Sequence, residues 1–205
     1  MAEAAVTSKG QITIPADIRK AMGIKSKDRV VFTVLPDGTT VMRAKTKSIA
    51  ELKGVLKNPG KKVSVSERKY TEYIMPALDT NGRVRYLVQD DARQMRVTHK
   101  FISEYVGQEQ SLLVSNSVIL ETEWVLRSSY GFSKQSYVDV LVQLLETREL
   151  AFSDERSLEL ALFFYRENNV DFADCLHAAT AHVNQMLPLV TFDRQATKID
   201  GVELL

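Results

Sequence analysis

The chain has 205 residues, 44% of them apolar and 26% charged, with a formal net charge of +1; this excludes a fibrous or disordered protein and allows one large or two small globular domains. A single cysteine, Cys175, excludes an internal disulfide, and no apolar run approaches the roughly 18 residues needed to span a bilayer. The near-neutral total hides a split, because residues 1–74 carry 15 Lys and Arg against 7 acids, a net +8, while residues 75–205 carry 12 against 19, a net −7. The split falls at Tyr73-Ile74-Met75-Pro76, where short alternating runs also give way to long helix-period runs, so two modules are expected to meet near Met75. No charged-then-apolar leader opens the chain, and the expected address is the cytoplasm, away from membranes.

In the basic half, Val6 to Gly10 reads as a turn leading into an alternating strand with Ile12 and Ile14 on one face, closed by Pro15. Ala16 to Met22 fits a short helix that carries Arg19 and Lys20 and ends at Gly23. Residues 29–35 and 39–44 read as two strands across Pro36-Asp37-Gly38, a strong hairpin signal. A module this small buries little of its own surface, which points to a homodimer. The run Ser8-Lys9-Gly10-Gln11-Ile12-Thr13-Ile14-Pro15, with Ile18-Arg19-Lys20 after it, resembles the AbrB/MazE-type (SpoVT-AbrB) DNA-binding domain. That resemblance implies an all-β barrel built by two chains with swapped hairpins, and contacts to operator DNA from Lys9, Gln11, Arg19 and Lys20. Two-fold symmetry would make the operator palindromic, and phosphate contacts would make binding salt-dependent.

The modules are expected at residues 1–47 and 75–205, with 48–74 as a connector. Ile49, Leu52 and Leu56 give the connector a short amphipathic helix with Ser48 as its N-cap, stopped by Asn58-Pro59-Gly60. Leu52 and Leu56 are expected to be buried against the second module. Lys61, Lys62, Arg68 and Lys69 follow; they read equally as a solvated linker or, by resemblance to antitoxins, as an inhibitory tail that places a basic side chain in a partner's acidic site.

The acidic half reads as short strands at 76–78, 112–114, 150–152, 189–192 and 202–205. Helical stretches lie between them: Val84 to Val88, then 92–106, 117–128, 133–146, 154–168 and 172–184. Such alternation calls for a parallel sheet covered by helices on both faces. Function gathers beyond the carboxyl ends of such strands, where Asp79 and Asp193 both stand.

Glu121 shares a helix face with Val118 and Val125, and a buried acid there would need a partner, a proton or a metal. Glu123 has Arg127 four residues on, an ordinary surface pair. Asp171 reads as a helix N-cap and Asp174 as a first-turn acid. Taken together, Asp79, Glu121, Asp174 and Asp193 suit a hard Mg²⁺ or Mn²⁺ ion and metal-assisted phosphodiester hydrolysis. His99, His177 and His182 read as surface or structural groups, and Cys175 and Trp124 as core.

Leu78-Asp79-Thr80-Asn81, Ile119-Leu120-Glu121-Thr122-Glu123-Trp124-Val125-Leu126, Asp171-Phe172-Ala173-Asp174-Cys175-Leu176-His177 and Thr191-Phe192-Asp193-Arg194 resemble the PIN-domain ribonucleases, and more narrowly the VapC toxins whose VapB antitoxins carry the DNA-binding domain seen here. The resemblance implies catalytic and metal-binding roles for Asp79, Glu121, Asp174 and Asp193, with Thr80, Asn81 and Thr191 supporting them. It also implies an RNA substrate such as transfer RNA, and an operator-binding autorepressor joined to its toxin. Gly82-Arg83 stands where such toxins carry two apolar residues. The rival reading is therefore a DNA-binding regulator whose PIN-like half is an inactive dimerisation body.

Overall fold

The computed structural model describes residues 2–57, 60, 77, 84, 86–89, 91–106 and 111–205. Met75, Asp79, Thr80, Asn81, Gly82, Arg83 and the basic residues Lys61, Lys62, Arg68 and Lys69 lie outside them. In the basic half, Gly38 takes φ +83, and the Asp37 carboxylate accepts from the Thr39 amide at 2.8 Å. This turn joins antiparallel strands β1 (Arg29–Val34) and β2 (Thr40–Lys45), with Val31 opposite Arg43 and Phe32 opposite Met42. Helix α1 (Ala16–Ala21) precedes them and ends at Gly23, at φ +66, as the sequence suggests.

The expected strand at Ile12 to Ile14 does not form among the described residues. Thr7 and Gln11 close the turn before it, Thr7 N donating to Gln11 O at 2.9 Å and Gln11 N to Thr7 Oγ1 at 3.1 Å. A strand exists by pairing, and no described segment runs beside this one.

Among the described residues of the connector, the expected helix at 49–56 is a 3₁₀ turn, Ile49–Leu52. Ser48 caps it as expected: its Oγ accepts from Ala50 N at 3.4 Å, and Glu51 Oε1 accepts from Ser48 N at 2.9 Å. The turn stops because Gly54, at φ +64, redirects the backbone. The next amides are used elsewhere, Gly54 N donating to Tyr86 O at 2.9 Å and Leu56 N to Leu87 O at 3.1 Å. Ile49, Leu52 and Leu56 are buried in the core of the acidic half, as expected for the two leucines.

Among the described residues that half follows the expected alternation, while Pro76, Leu78 and Arg85 of the expected first strand and helix lie outside them. Helix α2 (Ala92–Val106) leads to β3 (Leu112–Val114), α3 (Asn116–Val125) and a π-helical turn (Leu126–Tyr130). Then come α4 (Lys134–Leu145), β4 (Leu150–Phe152), α5 (Glu155–Glu167), α6 (Phe172–Val183), β5 (Leu189–Thr191) and β6 (Val202–Leu204). Strands β3 and β4 pair in parallel, Ala77 bridges Leu113 in parallel, and β5 pairs with β6 in parallel. Tyr137, Tyr165 and Phe172 meet edge to face with centroids 5.2–6.3 Å apart. They fix α4, α5 and α6 against one another. Cys175 is buried beside them. No described helix is long and apolar enough to cross a membrane.

Candidate active site

Helix α3 starts directly beyond the carboxyl end of β3, where Ser115 Oγ accepts from Val118 N at 3.3 Å. The helix then divides into two faces. Ile119, Thr122, Glu123, Leu126 and, in the following turn, Tyr130 are buried. Ser117, Leu120, Glu121 and Trp124, joined by the edge of the otherwise buried Glu123 and by Arg127, line a cleft of about 420 Å³ whose other wall is Asp171, Phe172 and Ala173 at the start of α6.

This partition overturns two expectations. Glu121 is exposed on the cleft face, not buried, while Glu123 is buried at 7% exposure. Glu121 shares its helical spacing with Val118 and Val125, yet these two valines lie only at the margin of the buried face. Ile119 and Leu126, seven residues apart, mark its centre, and Glu123 stands between them at helical spacing. Trp124 likewise sits on the cleft side at 64% exposure rather than in the core.

Glu123 is the centre of a small polar network. Tyr165 donates its hydroxyl to Glu123 Oε1 at 3.0 Å, and Arg127 Nε lies 3.3 Å from the same oxygen. The Arg127 pair expected from the i, i+4 spacing is thus present, but at a buried carboxylate. Arg127 reaches onward, its Nη1 donating to Asp171 Oδ1 at 3.5 Å. Burial raises the Glu123 carboxyl above its ordinary range, and the Tyr165 hydrogen bond and Arg127 charge pull it back. Burial also pushes the Tyr165 hydroxyl up to about 12. Sequence reasoning missed this network because its partners lie 42 residues apart in the chain.

Asp171 is the N-cap of α6 by position, but its side chain makes no cap hydrogen bond and turns to Arg127 instead. Asp174 occupies the first turn of α6, as expected. Burial raises its carboxyl, the nearby Asp193 charge raises it further, and His177 offsets part of this. Asp193 follows β5, is exposed, donates its amide to Thr191 Oγ1 at 3.0 Å and accepts from Gln195 N at 2.7 Å. The Asp193 charge, at the end of β5, thus acts on Asp174 of α6, while Glu121 lines the cleft whose far wall is Asp171 to Ala173. Asp79, Thr80 and Asn81 lie outside the described residues, and among the described residues alone no three His, Cys, Asp or Glu side chains could hold a metal ion. The donor set of Asp174 and Asp193 is all carboxylate oxygen, and its mutual repulsion is what a hard divalent cation relieves.

Residues 77–202, more than half of the chain, match the family model described as the PIN domain. The chain belongs to the PIN-domain family. Ahead of the PIN domain, residues 4–50 match the model described as antidote-toxin recognition MazE, bacterial antitoxin. A MazE/AbrB-like antitoxin domain followed by a PIN domain matches a VapB–VapC fusion. No curated protein matches the chain. In the antitoxin domain Lys9, Gln11, Arg19 and Lys20 are all exposed. In the PIN domain His177 is exposed, whereas the His99 ring centroid lies 6.4 Å from that of Tyr86 and the His182 centroid 6.2 Å from that of Phe164.

Proposed function

We propose that the chain is a toxin–antitoxin fusion in which a dimeric DNA-binding head represses its own operon and the PIN domain is a Mg²⁺- or Mn²⁺-dependent endoribonuclease. The observation that carries this reading is an antitoxin domain preceding, in one chain, a PIN domain in which the Asp193 charge acts on Asp174 and Glu121 lines a cleft at the start of the same helix α6. Asp79, Glu121, Asp174 and Asp193 would hold the metal, with Thr80, Asn81 and Thr191 supporting them. The metal would supply an activated water and charge neutralisation at the scissile phosphate. Lys61, Lys62 or Arg68 of the connector restrains the site by offering a cation in the metal's place.

The head's outward face supports a second copy. Phe32 is 52% and Val34 69% exposed on one side of the hairpin, and Ile12 is exposed on a segment that has no strand partner among the described residues. A partner chain with interleaved hairpins would cover them and pair the segment around Ile12. Lys9, Gln11, Arg19 and Lys20 would then be presented twice, to a palindromic operator.

The test is cleavage of labelled RNA, transfer RNA included, by the chain and by a variant with Lys61, Lys62 and Arg68 changed to Ala. Cleavage that needs Mg²⁺, rises in the connector variant and vanishes on adding Asp174→Asn supports the reading. Absence of Mg²⁺-dependent cleavage from both would leave a DNA-binding regulator with an inactive PIN body.

A further inference from the structure

The inward face of the hairpin is occupied by charge. Arg43 and Lys45 alternate along β2, and Lys47 continues the alternation beyond it, so all three point to one side. Opposite them stand Glu146 after α4, and Glu155 and Glu159 one helical turn apart at the start of α5. Arg43 grips Glu159 with two donors, Nε to Oε1 and Nη2 to Oε2 at 2.9 Å, and its Nη1 reaches Glu146 Oε1 at 3.5 Å. Lys45 is 2% exposed; its Nζ lies 2.7 Å from Glu155 Oε1, donates to Leu145 O at 3.2 Å and sits 5.1 Å above the Phe152 ring. Lys47 Nζ pairs with Glu146 Oε2 at 3.1 Å.

Backbone pairing continues the contact. Lys47 N donates to Glu146 O at 3.1 Å and Arg148 N to Lys47 O at 3.0 Å, a parallel bridge between Lys47 and Thr147. Arg29 Nη2 donates to Arg148 O at 3.0 Å.

A desolvated ion pair is worth having only when its geometry is good and its remaining hydrogen-bonding positions are filled. Arg43 with Glu159 meets that condition through its two-donor grip. The groove therefore selects a strand with cations at every second residue. Phe32 and Val34 project from the opposite face of the same hairpin, so docking leaves the outward face exposed.

We propose that Glu146, Glu155 and Glu159 form a docking groove for the basic strand Arg43–Lys47 of the same chain, a second antitoxin–toxin joint separate from the connector. Ile49, Leu52 and Leu56 stay with the N-terminal fragment after a cut beyond them, so the charge reversals at Arg43 and Lys47 are what read this joint. The proposal concerns attachment and stands whether or not the PIN domain cleaves RNA.

To test it, residues 63–69 are replaced by a recognition sequence for a site-specific protease, the folded chain is cut, and the fragments are followed by size exclusion and by dissociation after dilution. The fragments of the parent should co-elute at the mass of one chain's worth of each module, or its dimer multiple with one of each per chain. Arg43→Glu should weaken their association roughly tenfold or more. Lys47→Glu, at the partly exposed rim and so compatible with folding, should weaken it a few-fold. Cut fragments of the parent that separate freely would overturn the proposal. So would Arg43→Glu and Lys47→Glu fragments that hold together as firmly as the parent. Mixing cut chains of two sizes and finding the strand of one seated on the body of another before any dissociation would overturn the same-chain assignment.

Discussion

Glu121 and Glu123 stand two positions apart on one helix and meet different surroundings, so their removal should have different signatures. Glu123→Ala strips Tyr165 and Arg127 of a buried acceptor and should cost about 1–3 kcal/mol in urea denaturation. Glu121→Ala changes an exposed side chain and should cost less than Glu123→Ala. Equal losses would contradict the burial of Glu123 against Tyr165 and Arg127. Tyr165 gives a pH-dependent counterpart. Burial holds its hydroxyl up to about 12, so the folded state keeps a proton that the unfolded chain releases near 10. Stability from this group is complete below pH 10 and is lost as pH rises from about 10 to 12. Tyr165→Phe should cost about 1 kcal/mol at neutral pH, by removing a hydrogen bond, and should lose less stability than the parent between pH 10 and 12. A parallel alkaline decline in the two proteins would refute that assignment.

At the scale of elements, the connector shows what packing adds to pattern. Ser48 and Glu51 announce the start of a helix, and the structure has that start. The end lies at Leu52 because Gly54 and Leu56 give their amides to Tyr86 and Leu87, partners no local signal reveals. Leu52→Ala should cost about 2–5 kcal/mol, since the side chain is fully enclosed in the core of the PIN domain. Thermal unfolding that moves by less than a degree would place Leu52 outside that core. Elsewhere the described helices and strands of the acidic half were legible within a few residues, because most carry their own periodicity and some their own cap: Ser133 before α4 and Asp154 before α5 each accept a backbone amide. The segment around Ile12 shows the converse: its alternation is strand-like, but a strand is a property of two segments, and no described segment of this chain pairs with it.

Across the whole molecule, the charge division read from composition has two destinations. Some basic residues, Lys9, Arg19 and Lys20 among them, face solvent where DNA could meet them, while Arg43, Lys45 and Lys47 are spent on Glu159, Glu155 and Glu146. Sequence showed the excess of charge but not this allocation, since the pairs span about a hundred residues. Asp174 and Asp193 stand out in sequence at a helix start and a strand end; that the Asp193 charge reaches Asp174 depends on how β5 and α6 pack. The claim that joins these levels is that carboxylates from separate segments make one site for a hard cation. Calorimetric titration of Mg²⁺ or Mn²⁺ into the chain and into Asp174→Asn and Asp171→Asn tests it directly. The account predicts saturable binding to the parent, retained in Asp171→Asn and lost in Asp174→Asn, whereas binding of equal strength in the parent and Asp174→Asn would contradict it.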